Sequence, residues 1–93
     1  MRFEWGLDAQ RMRDEAVAFL AGRSSRAALL LERRLFQVSR ALADNPYLGR
    51  PSRVAGLREF VVTPSYRLVY VVGVEIVLVI ALLHTSQDWP PRD

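Results

Sequence analysis

Toward the end of the chain two long apolar runs meet across a short break. Tyr66-Arg67-Leu68-Val69-Tyr70-Val71-Val72 is followed by Gly73-Val74, and then by Glu75-Ile76-Val77-Leu78-Val79-Ile80-Ala81-Leu82-Leu83-His84. Runs this rich in Val, Ile, Leu and Tyr around a Gly-containing pair predict two strands and a tight turn. At the other end Arg2-Phe3-Glu4-Trp5 alternates polar and apolar residues, which predicts a short first strand, with Trp5 in the core. The stretch between them has helical spacing. Asp8 is placed to cap a helix whose apolar positions Ala9, Met12, Ala16, Phe19 and Leu20 recur until Gly22. A second helix starts at Ser24-Ser25 and carries the stripe Ala28, Leu31, Leu35, Val38 and Leu42, widened by Leu30 and Phe36, until Asp44-Asn45-Pro46 stops it.

From Tyr47 to Gly56 the chain turns to Gly, Pro and Arg and reads as a loop. Three strands then follow, about Leu57–Thr63, Tyr66–Val72 and Glu75–Leu83. The short link between the helices predicts an antiparallel helical hairpin. The fold class is therefore α+β: an N-terminal strand, the helical hairpin, then a three-stranded antiparallel sheet in the order βααβββ, with the hairpin on one face.

If Gly73-Val74 is a two-residue turn, Val72 stands opposite Glu75 and Arg67 opposite Ile80. Arg67, Ile80, Leu82 and His84 then share a face, with His84 about 13 Å along the strand from the partner of Arg67. Arg58 joins that face in one register of the Thr63-Pro64-Ser65 turn and leaves it after a one-residue slip.

With 93 residues the whole chain, 1–93, is expected to form one domain. It has no cysteine, and its start lacks a basic segment followed by an apolar run, so a cytoplasmic location without disulfides is expected. The apolar stretch Val69–Leu83 is broken by Gly73 and Glu75 and falls short of the ~18 to 20 residues that span a bilayer, so no membrane partner is expected. A single histidine and scattered carboxylates argue against a metal site, and no phosphate-cradling Gly loop or Ser/His/Asp set suggests a cofactor or that chemistry.

Charge adds a direction. The formal net charge is +3, every basic residue is Arg, and the excess lies in the middle of the chain: five Arg against two acids in residues 23–44, then Arg50, Arg53, Arg58 and Arg67 against Glu59. Such a surface suits nucleic acid or an acidic protein, because Arg binds phosphate and carboxylate in a bidentate manner. A solvated helix face would carry the same residues.

Five short strings occur in order: Asn45-Pro46-x-Leu48-Gly49-Arg50-Pro51, Gly56-Leu57-Arg58-Glu59, Tyr66-Arg67-Leu68-Val69-Tyr70, Ile80-x-x-Leu83-His84 and Trp89-Pro90. Together they resemble the RelE/ParE toxins of bacterial type II toxin–antitoxin systems over nearly the whole chain. That resemblance implies a cytoplasmic toxin wrapped by a cognate antitoxin, of the kind associated with plasmid stabilization, in a heterotetramer or larger complex. It leaves two targets open. RelE-like members cleave mRNA at the ribosome, whereas ParE-like members poison DNA gyrase. The chain has no Lys, and Gln87 stands where many relatives carry Arg, which favours the ParE-like branch and also allows an inactive relative.

The candidate toxicity surface is His84, Arg67 and Arg58, with His84 as the base and Arg67 as the phosphate clamp if the chain is a nuclease. Each also has a structural reading: a hydrogen-bonded His at a strand end, and Arg residues paired with Glu59, Glu75 or Asp88. Trp89, Tyr66 and Tyr70 read as core or rim packing. The apolar share of 51 % predicts an exposed apolar groove beside the helical hairpin, filled by antitoxin through Leu30, Phe36 and Val38.

Overall fold

A computed structural model describes residues 1–91. The elements are β1 (Arg2–Trp5), α1 (Leu7–Ala21), α2 (Ser25–Asp44), β2 (Arg50–Pro51), β3 (Arg58–Thr63), β4 (Tyr66–Gly73) and β5 (Ile76–His84). The α+β class and the order strand, helical hairpin, strands hold. The sheet does not match the three-stranded antiparallel expectation: it has five strands in the order β1-β5-β4-β3-β2, and it is mixed. β1 runs parallel to β5, with Arg2 opposite Ile76 and Trp5 opposite Val79, whereas the other pairs are antiparallel. The physical reason lies in β5, where every residue before His84 is apolar. A strand apolar on both faces belongs in the sheet interior, and β1 supplies the neighbour that takes it off the edge.

α1 begins one residue earlier than its expected cap. Gly6 is the extended N-cap residue and makes no side-chain cap bond, and Asp8 lies in the first turn, where a carboxylate still favours the positive end of the helix. α2 starts as its sequence suggests, with Ser24 Oγ accepting the Ala27 N–H at 3.2 Å. The stripe Ala28, Leu31, Leu35, Val38 and Leu42 is buried. Its Leu31, Leu35, Val38 and Leu42 pack with Ala9 and Ala16 of α1 on Leu68, Tyr70, Val77, Val79 and Leu82 of the sheet. Each large aliphatic group buried there stabilises the fold by about 1.5–3 kcal/mol.

This packing corrects one expectation. Val38 is 1 % exposed and belongs to the core, so it offers nothing to a partner, while Leu30 and Phe36 stand outside at 48 % and 52 %. Helical spacing explains the split: Val38 follows Leu31 and Leu35 on one face, whereas Leu30 and Phe36 border it on the solvent side. Phe19 of α1 is also exposed, with the Arg23 guanidinium over its ring at 4.6 Å.

The β4–β5 hairpin differs from the sequence reading in two ways. Gly73 pairs with Ile76, so the turn residues are Val74 and Glu75, and Glu75 adopts a left-handed φ of 57°. Further on, Tyr70 pairs with Val79 but Val69 pairs with Ala81, leaving Ile80 as the extra residue of a bulge. Moving the turn by one residue shifts the register by two and keeps every side chain on its expected face. The bulge adds one more and reverses the faces beyond it. Arg67 therefore pairs with Leu83 and not Ile80, and His84 pairs with Tyr66. Arg67 and His84 point to opposite sides of the sheet.

The face away from the main core carries a second, small cluster. Val69, Ala81 and Leu83 are fully buried there, with Leu57, Ile80 and Trp89 packed against them and Met12 touching both clusters. No described helix is long and apolar enough to cross a membrane.

Candidate functional surface

On the second face Arg67 is the organising group. Its side chain is 15 % exposed, and its Nε lies 3.3 Å from Glu59 Oε1. Its Nη1 donates to the carbonyls of His84 and Thr85, both at 3.3 Å, and its Nη2 donates to the carbonyl of Gln87 at 3.0 Å. The alternation of β4 explains the position: Arg67 leaves the sheet opposite Leu68, on the side where the chain returns after β5.

Sequence reasoning offers Glu59 only as a candidate ion-pair partner of Arg58 or Arg67; the structure pairs it with Arg67, and it gathers the polar groups of this face. Besides Arg67 it meets Arg50 Nη2 at 3.6 Å and accepts from Ser52 Oγ at 3.2 Å. Its register opposite Arg50 on β2 and Val69 on β4 brings these charges together. An acid directly before the apolar run Phe60-Val61-Val62 was the available signal, but the two-residue strand β2 that delivers Arg50 was hidden inside a Pro-containing loop.

Arg53 adds a second tie to the returning chain. Its Nη2 donates to the Trp89 carbonyl at 2.7 Å and lies 3.8 Å from Asp88. Arg50, Arg53, Glu59, Val61, Arg67 and the segment Thr85–Trp89 line an open basin of about 650 Å³. The exposed cations on its rim are Arg50 and Arg53, since Arg67 is turned inward.

Arg58 lies elsewhere. It pairs with Tyr70, on the helical face of the sheet, so the open question of its face resolves away from Arg67. Its Nη1 donates to the Gly49 carbonyl at 2.7 Å, and its guanidinium stacks over the Tyr47 ring at 5.0 Å. Beneath it the Tyr70 hydroxyl donates to the Pro46 carbonyl at 2.8 Å and accepts the Gly49 N–H at 2.9 Å. Burial raises the Tyr70 pKa above its usual 10.0, against smaller lowering effects of the Gly49 N–H and the Arg58 charge. The role of Asn45-Pro46-x-Leu48-Gly49 is thus visible: it closes the loop after α2 onto a buried tyrosine.

His84 is exposed at the end of β5, edge-on to Tyr66 with ring centroids 5.6 Å apart. Its Nδ1 accepts the Ser86 N–H at 3.2 Å and sits 2.7 Å from Ser86 Oγ. In the neutral ring this bonding assigns the proton to Nε2. The ring borders a groove with Met12, Glu15, Phe19 and Gln87. Since His84 and Arg58 pair with Tyr66 and Tyr70, they stand four residues apart along β4, about 13 Å. The three expected site residues thus do not converge: two share a face at a distance, and the third is behind the sheet. Among the described residues no three of His, Cys, Asp or Glu gather as a metal ion requires.

The outer side of α2 presents another surface. Leu29 is 65 % exposed beside Leu30 and Phe36, and Arg26, Arg33 and Arg40 are exposed among them, with the Arg40 guanidinium 5.8 Å from the Phe36 ring centre. An apolar patch set in cations suits an acidic, partly apolar protein segment.

Comparison with known proteins gives a family. Residues 3–89 match the sequence profile described as ParE toxin of type II toxin-antitoxin system, parDE. A Sinorhizobium fredii (strain NBRC 101917 / NGR234) protein carrying the name "Putative toxin Y4kP" is 32 % identical over 90 residues, which cover 96 % of this chain and 93 % of that protein. Among solved structures, the chromosomal ParDE TA system from P. aeruginosa contains a chain of similar fold. The TM-score is 0.76 at 18 % identity, covering 90 % of this chain and 95 % of that one. The YoeB/ParE toxin from Agrobacterium tumefaciens superposes with a TM-score of 0.65 at 20 % identity, covering 90 % and 98 %.

Proposed function

Because the chain belongs to the ParE toxin family of type II toxin–antitoxin systems, we propose that it is a one-domain cytoplasmic toxin, held inactive by a cognate antitoxin, that acts by binding and inhibiting DNA gyrase. The observation carrying this reading is the separation of Arg67 from His84. Cleavage of RNA by proton transfer needs a base and a phosphate clamp around one scissile bond. Here the imidazole is on the helical side, and the inward guanidinium is engaged by Glu59 and three main-chain carbonyls. Docking to a protein target needs no such convergence, only a shaped surface with accessible cations such as Arg50 and Arg53.

The antitoxin belongs on the outer side of α2, over Leu30 and Phe36. The apolar patch there and its surrounding Arg residues complement an acidic amphipathic segment, and two toxins joined through antitoxin would give a heterotetramer or a larger assembly.

The test is a pair of assays on the purified chain: supercoiling by DNA gyrase, and cleavage of mRNA on programmed ribosomes. Inhibited supercoiling with intact mRNA is the expected result. Ribosome-dependent cleavage that disappears in His84→Gln would move the chain to the endoribonuclease branch.

A further inference from the structure

Arg67 and Arg53 share a feature: both donate to main-chain carbonyls at the end of β5 or in the segment that follows it. Arg67 holds His84, Thr85 and Gln87, and Arg53 holds Trp89. Main-chain acceptors are indifferent to which side chains the segment carries, so these bonds set where the segment runs. Glu59 fixes Arg67 from behind through its Nε. Trp89 completes the attachment by packing on the cluster of Val69, Ala81 and Leu83. The segment's own amides add local order, with Thr85 N–H bonded to the Ser65 carbonyl at 2.8 Å and Gln87 N–H to the His84 carbonyl at 2.9 Å. The result is a short irregular stretch with Thr85, Ser86, Gln87 and Asp88 all exposed along one side of the basin.

We propose that Arg67 is a positioning residue. With Glu59 behind it and Arg53 beside it, Arg67 fixes Thr85–Trp89 on the open face of the sheet, and its influence on toxicity runs through that segment. A direct grip on a target phosphate or carboxylate would need two parallel guanidinium donors free to face outward. Here Nε and both terminal nitrogens already face protein acceptors. This inference rests on the reading of the chain as a toxin that works by binding.

The experiment combines hydrogen exchange across the full-length chain with growth of cells in which it is induced, for Arg67→Lys, Glu59→Gln and Trp89→Ala. Lys keeps the charge but cannot span three carbonyls with a planar fork. Trp89→Ala loosens the segment by a route that leaves Arg67 in place. All three variants should raise exchange of the Thr85 and Gln87 amides at least tenfold while the α2 amides keep their protection, and toxicity should fall in step. Two results overturn the proposal: toxicity lost in Arg67→Lys with segment exchange unchanged, or a freed segment in Trp89→Ala with full toxicity. Should Arg67→Lys fail to fold, Glu59→Gln and Trp89→Ala still decide the matter. The underlying target reading fails separately, if the wild-type chain leaves gyrase supercoiling untouched, and the exchange and growth results stand whatever the target.

Discussion

Arg67 and His84 lie on neighbouring strands and face opposite sides of the sheet, and they are joined through the main chain, where the Arg67 guanidinium donates to the His84 carbonyl at 3.3 Å. Substituting the imidazole leaves that carbonyl in place, whereas substituting the guanidinium releases it. His84→Gln should therefore retain toxicity within about twofold, because Gln can still accept from the Ser86 N–H. A nuclease would lose about 10²-fold or more on losing its general base. Dose–response of growth arrest against toxin expression measures the difference.

Removing the Tyr70 hydroxyl orphans the Pro46 carbonyl and the buried Gly49 N–H together. Tyr70→Phe should lower unfolding free energy by about 1–3 kcal/mol, read from the urea midpoint. Gly49→Ala should be at least as damaging. A Cβ there would come within 2.5 Å of both the Glu59 carbonyl and the Tyr70 hydroxyl, too close for either to yield without moving the loop.

The same tyrosine gives a pH dependence with a definite sign. Its folded pKa is raised above 10.0 by burial, so near and above pH 10 the folded chain holds this proton more tightly than the unfolded chain. Stability from this group is complete below the unfolded pKa and is lost as pH rises through the folded one. Urea midpoints between pH 9 and 11 should fall in the wild type, and Tyr70→Phe should remove part of that slope.

Glu75 takes the left-handed conformation in the β4–β5 turn, with φ of 57°. That backbone costs an ordinary residue about 1–2 kcal/mol, partly offset on replacement by the greater unfolded-state freedom of glycine. Glu75→Gly should raise stability by up to about 1 kcal/mol. The main-chain bond from the Arg2 N–H to the residue 75 carbonyl does not depend on the side chain.

Val38 and Phe36 should separate stability from partner binding. Val38→Ala leaves a cavity under α2 and should cost about 1–3 kcal/mol. Phe36→Ser, at a half-exposed site, should stay within about 0.5 kcal/mol of wild type yet weaken the complex with antitoxin at least tenfold, as measured by titration calorimetry. Equal antitoxin affinity for Phe36→Ser would remove the outer face of α2 from the interface.

Local pattern carried a good deal of this protein. The apolar stripe Ala28, Leu31, Leu35, Val38 and Leu42 marked the buried face of α2, because helical periodicity and burial express the same geometry. Ser24 marked the start of that helix through its cap bond, and five ordered strings marked the family. Within β4 the period of two already set Arg67 and Val69 on one face and Leu68 and Tyr70 on the other, whereas the face of Arg58 waited on the pairing of β3 with β4.

Pairing itself was decided in three dimensions. Nothing local to Arg2–Trp5 specifies a parallel partner more than seventy residues away, and the neighbour emerges only when β5 must be covered on both edges. The extra residue at Ile80 is equally silent, because a bulge reflects how two strands twist against each other and not the composition of either. That one residue reverses the faces beyond it, separates His84 from Arg67, and turns a supposed clamp toward the carbonyls of the returning chain. Side-chain chemistry along the chain is a property of sequence, but which groups meet depends on register, and in a strand of period two a single-residue shift reverses the answer.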